Sequence, residues 1–316
     1  MGCSLLLVLL FAADPDPAQL IPLFRQALAE REKQFGPQHP KAARSASDLA
    51  LYLKRMGNRE EAASLLRRVL QIDQKSFEEG HPVLAEDLEN LAGVVGTAEA
   101  LRLHSRAAQC TDAVIAARNL GKLGALQEAQ GDRATAKESY RRALAKEEAA
   151  SGFDHPRVAV RLNDLALLLE PKAAEPLVTR ALAIQRKALG AQHPEIGVTL
   201  NNLANLLLAT GRLEQAERMQ RQAFRMLETT LGPEHPRVAV SCSNLADILR
   251  AKRDFVGAKR LYNRALAIDE KAYGGGHPEV AADLVNLADV LEEMGDFEEA
   301  RQLRGRAEKI RKAEKQ

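Results

Sequence analysis

The chain has 316 residues, and its 45 Lys and Arg nearly balance 43 Asp and Glu, for a formal net charge of +2. Aromatics make up 4% and Trp is absent, so the sequence makes no electrostatic or stacking case for nucleic acid or an anionic membrane. Ala, Leu, Glu and Arg dominate, which favours helices and leaves little β-branched or aromatic material for a sheet.

Leu5 to Ala13 is an uncharged apolar run followed by Asp14-Pro15-Asp16-Pro17. It has the apolar stretch and the small residues, Ala12 and Ala13, of a secretory signal, but no Lys or Arg precedes it. It is too short to span a bilayer, which takes about 20 apolar residues. Met1-Gly2-Cys3-Ser4 hints at N-acylation, yet Leu6 stands where Ser or Thr is needed. Two readings of residues 1–16 stay open. The protein is exported or periplasmic if they are a signal peptide, and otherwise cytoplasmic. Residues 17–38 then predict one helix standing alone, with Phe24 and Ala27 in the bulky and small positions that second helices carry further on.

From residue 39 the sequence repeats. His-Pro recurs at His39-Pro40, His81-Pro82, His155-Pro156, His193-Pro194, His235-Pro236 and His277-Pro278, and three of the five gaps are 42 residues. A tetrad follows at constant offset: Ser47 to Ala50, Asn163 to Ala166, Asn201 to Ala204, Ser243 to Ala246 and Val285 to Ala288. A fixed period of this length is the signature of stacked supersecondary units. Each unit predicts two antiparallel helices. The first opens at the proline, whose missing N–H has no partner there anyway, and carries apolar residues at helical spacing, such as Ile196, Leu200, Leu203 and Leu207. Gly57, Gly131, Gly211 and Gly295 mark its end. The second carries a small–bulky–small set: Ala258, Tyr262 and Ala265, or Ala136, Tyr140 and Ala143. The small residues let helices approach closely.

Two units are irregular. From His155 to His193 is 38 residues, and Pro171 is expected to cut the first helix short. The unit from His81 is also short, with Ala100, His104 and Ala107 as its set. The next opens near Ala113 without His-Pro, and phasing from Gly131 recovers Leu123-Gly124 and Tyr140 in register. Gly93, Gly96 and Gly121 are expected to weaken helix in this stretch. The count is seven helix pairs, starting at residues 39, 81, 113, 155, 193, 235 and 277. Lys309 to Gln316 is mostly charged, as a terminal cap needs to be.

Leu203-Ala204, Gly211 and Ala216, with the 42-residue period, the loop Leu231 to Pro236 and the Asn-Asn-Leu-Ala tetrad, resemble the tetratricopeptide repeat of the kinesin-light-chain-like type. The resemblance covers residues 17–316. It implies an all-α, right-handed α-solenoid of about seven such pairs, with residues 39–316 as the array. It also implies a concave groove, lined by first helices, that binds a peptide or protein segment. The heptad-rich tail of a true light chain is absent, so motor binding is not carried over. The slots that hold a Lys, Asn and Arg clamp in the chaperone-tail-binding type carry Asn201, Ser243 and Val285, then Ala209, Ala251 and Glu293, so that clamp is not expected.

No phosphate-binding loop, nucleophile elbow, His-Glu-x-x-His pair or dinucleotide fingerprint occurs, and no catalytic residue or cofactor is expected. The periodic histidines recur once per repeat, too far apart to share a metal ion, and are expected to cap loops. Cys3, Cys110 and Cys242 form no zinc spacing or disulfide framework, and Cys242 falls in the apolar slot of Leu200 and Leu284. The candidate partner-binding residues are Asn202, Asn244 and Asn286, then Asn205, Asp247 and Asp289 one turn on, with Val198 and Val240 beside them. The asparagines can stack between adjacent first helices, reach for a partner's backbone, or do both. Asp247, Asp289, Glu292 and Glu293 suggest a mildly acidic groove. The function expected is a non-catalytic interaction scaffold for a protein or peptide segment, with no nucleic acid and no integral membrane span. The alternatives are a regulatory module controlling a separately encoded enzyme and, less favoured, a helical-repeat RNA binder.

Overall fold

The computed structural model describes residues 17–313, with side chains from residue 20 onward. The apolar leader and its signal-peptide reading lie outside them. Among the described residues there are fifteen helices and no strand. Helix α1 (Pro17–Phe35) precedes α2 (Pro40–Arg55) and α3 (Arg59–Asp73), α4 (Pro82–Ala92) and α5 (Thr97–Ala107), and α6 (Ala113–Ala129) and α7 (Arg133–Ser151). Then come α8 (Pro156–Ala166) and α9 (Pro171–Leu189), α10 (Pro194–Ala209) and α11 (Leu213–Leu231), α12 (Pro236–Ala251) and α13 (Phe255–Tyr273), and α14 (Pro278–Met294) and α15 (Phe297–Ala313). They group into two compact units that divide between Phe153 and Asp154, α1 to α7 in the first and α8 to α15 in the second. Each helix packs chiefly on its immediate neighbours within its unit, as expected of stacked pairs.

The His-Pro dipeptide starts six first helices by one mechanism. His39, His81, His155, His193, His235 and His277 are N-caps, and each ring Nδ1 accepts the backbone N–H two residues on, at 3.1 to 3.3 Å. That bond satisfies one of the orphan donors of a helix start, the role usually taken by Ser, Thr, Asp or Asn. Phe35, Phe77 and Tyr273 stack on His39, His81 and His277, which pins the loop as well. Helix α6, which lacks His-Pro, is capped by Asp112, whose Oδ1 accepts from Val114 and Ile115 at 2.9 and 3.0 Å. Among the described residues no three His, Cys, Asp or Glu side chains gather as metal ligands.

Two local expectations change. Gly93 and Gly96 are the end cap of α4 and the start cap of α5, so they border helices and interrupt none; Gly121 alone lies inside one, buried in α6. Pro171 is the first residue of α9, five residues beyond the end of α8, so it opens the second helix instead of cutting the first. With its ring at the N-terminal turn it removes no hydrogen bond.

Within a pair, Ala204, Ala216 and Ala223, and likewise Ala246, Ala258 and Ala265, are fully buried, and Tyr262 fills the space between them. The contact in the irregular pair α6–α7 is tighter still. A Cβ on Gly124 would lie 2.7 Å from the Tyr140 ring, which explains glycine where other units carry alanine. Ion pairs tie successive second helices together: Arg68–Glu32 and Arg67–Glu99 in the first unit, and Arg264–Glu228, Arg306–Glu270 and Lys259–Glu299 in the second. Exposed pairs of this kind are each worth about 0–1 kcal/mol, so they hold register more than stability.

Two predictions follow from these contacts. Changing Ala204 or Ala265 to Phe should cost about 1–3 kcal/mol by overpacking, measured by urea unfolding. The turn slot of Gly57, Gly131, Gly211 and Gly295 holds Arg253 between α12 and α13, at φ 65, the one non-glycine with positive φ among the described residues. Since a side chain costs about 1–2 kcal/mol in the left-handed region, Arg253→Gly should stabilise by roughly 0.5–1 kcal/mol after glycine's extra entropy loss. A lower melting temperature in that variant would contradict the argument.

Candidate functional site

The candidate residues lie along one stripe of each first helix in the second unit. Val198, Asn202 and Asn205 recur at helical spacing on α10, and Val240, Asn244 and Asp247 on α12; Asn286 and Asp289 continue the pattern on α14. The flanking positions of these helices are buried core: Ile196, Leu200, Ala204 and Leu207 on α10, and Val238, Cys242, Leu245 and Leu249 on α12. The stripe itself is exposed or half-buried, and Val240 leaves 53% of its surface to solvent.

Polar contacts between adjacent first helices run through a different column. Asn163 Nδ2 donates to Thr199 Oγ1 at 2.7 Å, from α8 to α10. Ser241 Oγ donates to Asn201 Oδ1 at 3.2 Å, and Ser243 Oγ to Asp283 Oδ1 at 3.3 Å. In the first unit Asn119 Nδ2 reaches Glu89 Oε2 at 3.4 Å. Each rung joins the first tetrad position of one unit to the residue two before that position in the next. Second helices add to the ladder where their bulky slot holds a shorter polar side chain. Gln220 Nε2 lies 2.6 Å from Asn201 Oδ1 and 3.0 Å from Ser241 Oγ, and His104 Nδ1 lies 2.7 Å from Asn119 Oδ1. Burial holds the His104 imidazole below the ordinary histidine range, which keeps it neutral in this network. Glu89 is pushed up by burial, but the ammonium of Lys122 and the guanidinium of Arg118 outweigh that and hold it low.

The stacking role therefore falls to residues 163, 201 and 243 and their rung partners. Asn202, Asn205, Asn244 and Asn286 make no side-chain hydrogen bond to another described residue and keep their amide groups for something else. The two carboxylates are committed to partners inside the fold, on their own helix pair and, for Asp289, on the preceding one as well. Asp247 accepts from the Tyr262 hydroxyl at 2.5 Å, and Asp289 is paired with Arg304 at 2.6 Å and with Arg250 at 3.5 Å. Burial raises the Asp247 carboxyl, and the Tyr262 hydroxyl and Arg250 offset part of that. Glu292 and Glu293 also face arginines, Arg304 and Arg250. The four carboxylates of the acidic groove suggested by the sequence thus face two arginines, Arg250 and Arg304, which offset part of their charge. Two apolar residues extend the stripe onto α8 and its cap, Val160 at the offset of Val198 and Val240, and Leu167 at the offset of Asn205. The His155-Pro156 phase already places both, but the irregular length of that unit hid them.

The periodic pairs, the caps and the small-residue contacts define a repeat, and its sequence signature is recognised independently. The family model described as tetratricopeptide repeat matches residues 3–75, 170–229, 196–271 and 237–313, more than half of the chain. The chain belongs to the tetratricopeptide repeat family. The unmatched stretch, 76–169, holds both eleven-residue first helices and the unit without His-Pro. No curated protein matches the chain by sequence. Among solved structures, BtubC (BKLC) from P. vanneervenii is 23% identical with a TM-score of 0.55, over 72% of this chain and 92% of that one. A single-substitution form of a putative kinesin light chain from Podosopora anserina, with nearly identical TPR-like repeats, is 24% identical with a TM-score of 0.51, over 63% and 96%. The apo form of RapI is 16% identical with a TM-score of 0.69, over 86% and 98%. At these identities the likeness shows the fold alone. Among the described residues no helix is long and apolar enough to cross a membrane.

The two asparagine columns should separate on mutation. Asn201→Ala removes the acceptor shared by Gln220 Nε2 and Ser241 Oγ, which leaves the fully buried Ser241 hydroxyl without one while Gln220 keeps its contacts to Ser241, and should cost about 1–3 kcal/mol. Asn202→Ala removes no side-chain hydrogen bond among the described residues and should change stability by less than about 0.5 kcal/mol. Thermal unfolding of the two variants side by side checks this, and equal losses would mean that the columns are misassigned.

Proposed function

We propose that the protein is a non-catalytic interaction scaffold that holds an extended protein segment along the first helices of its second unit. One observation carries the reading: a column of asparagines, Asn202, Asn244 and Asn286, repeats once per helix pair, half-exposed and without a side-chain hydrogen-bond partner among the described residues. Each amide offers both a donor and an acceptor, and an extended chain presents backbone N–H and C=O groups at regular rise. Val160, Val198, Val240 and Leu167 lie alongside and suit apolar side chains of such a segment. The near-neutral charge of the chain and the internal pairing of Asp247 and Asp289 favour a segment bound by backbone and apolar contacts over one selected for charge. Family membership in a repeat class built for extended surfaces supports the same reading.

The test is selection of binders from a displayed random peptide library against the whole protein. The triple variant Asn202→Ala, Asn244→Ala, Asn286→Ala should retain the selected peptides at least tenfold more weakly, since each buried hydrogen bond lost is worth about 0.5–1.5 kcal/mol, while helicity and melting temperature stay near the parent's. Equal retention by parent and variant would remove this face from consideration.

A further inference from the structure

Two buried carboxyl pairs occupy equivalent places, one in each unit. Asp73, at the end of α3, faces Asp87 on α4; Asp269, on α13, faces Asp283 on α14. All four residues are at least nine-tenths buried, with 5 to 9% of their surface exposed. Within its compact unit, each acid pair sits at the junction where the second helix of one helix pair meets the first helix of the next. The fold does not require acids there: the same two places hold Gln185 and Thr199 at one junction, and Leu227 and Ser241 at another.

The basic group that acts on these acids is the His277 ring beside Asp269. No described residue forms an ion pair with any of the four. On Asp87 the acting charges are Asp73 from α3 and Glu86 from α4 itself. On Asp283 they are Asp269 from α13 and Glu279 from α14 itself, while Ser243 Oγ on α12 donates to its Oδ1. His277, the N-cap of α14, acts on Asp269, and the Cys242 thiol from α12, itself pushed up to about 12 by burial, lies near both acids. Asp87 Oδ2, Asp269 Oδ1 and Asp283 Oδ2 have no hydrogen-bond partner among the described residues. Two facing carboxylates without an ion-pair partner repel strongly in a buried site, whereas one shared proton turns the repulsion into an O–H···O bond.

We propose that Asp73–Asp87 and Asp269–Asp283 are proton-operated latches between consecutive helix pairs, closed while each pair holds one proton and released when that proton passes to solvent. In the closed state Asp87 donates to Asp73 and Asp283 donates to Asp269. Burial first, then the neighbouring aspartate, pushes Asp87 and Asp283 from the ordinary 3.8 to about 7. Because the folded value lies above the unfolded one, the stabilisation is complete below about pH 4 and is lost as pH rises through about 7. Release therefore falls within the physiological range, and it acts on the α3–α4 and α13–α14 junctions, not on the whole chain at once.

The experiment compares the full-length parent with the Asp87→Asn, Asp283→Asn double variant, in which an amide N–H replaces the shared proton permanently. In the parent, hydrogen-exchange protection at the α3–α4 and α13–α14 junctions, corrected for intrinsic rates, should fall by up to about tenfold per pH unit between roughly pH 5 and 7. The α11–α12 junction, with Leu227 and Ser241, should not follow. The variant should lose this slope and stay protected at about pH 8. His104 titrates with the opposite sign but is present in both proteins, so it cancels in the comparison. Infrared spectra of the parent give a second reading that does not depend on how the variant folds: protonated carboxyl absorption should persist near pH 6 and vanish by about pH 9. Absence of that absorption near pH 6, or an unchanged slope in a folded variant, would overturn the proposal.

Discussion

Everything in this protein depends on how closely two helices of a pair can approach. Alanines at the contact positions, fully buried in α10 to α13, let the backbones close, and one larger side chain per pair fills the remaining space. Close approach makes the pair a rigid block with one buried side. A block of that kind has too little core to stand alone, so it must bury its remaining apolar edge against the next. The repetition of the sequence is the consequence: the same small–bulky–small set has to appear wherever another block is added.

The identity of the bulky residue has effects beyond volume. Tyr262 and Arg304 are long enough to reach Asp247 and Asp289 at the outer edge of their own pair, which removes two carboxylates from the surface available to a partner. Gln220 and His104 are shorter and reach the ladder at the junction instead, Gln220 through Asn201 of its own pair and Ser241 of the next, and His104 through Asn119 of the next pair. The same slot therefore secures either the pair or the junction, according to the reach of its side chain. That division leaves the asparagine column of 202, 244 and 286 without internal work.

Junctions between units differ among themselves. Apolar and amide pairs hold some, and carboxyl pairs hold α3–α4 and α13–α14. In a solenoid each junction is an independent bond between neighbours, so a titrating junction gives local control that a single globular core does not.

The sequence by itself determined the period, the class of the fold and the ends of most helices, because each of these rests on local chemistry. A histidine followed by proline caps a helix wherever it stands, and an alanine at a contact position is small in any context. The unit hidden near Ala113 was legible from the phase of Gly131 and Tyr140 alone. Which of two adjacent asparagines is structural was not legible. Asn201 and Asn202 are neighbours in sequence and identical in chemistry, and they differ only by the turn of about 100° that sends one into the junction and leaves the other at the surface. The pairing of Asp247 with Tyr262 and the meeting of Asp73 with Asp87 were likewise decided by tertiary structure. Each joins residues of different helices whose distance depends on the packing of the helices between them, and no local pattern records that distance.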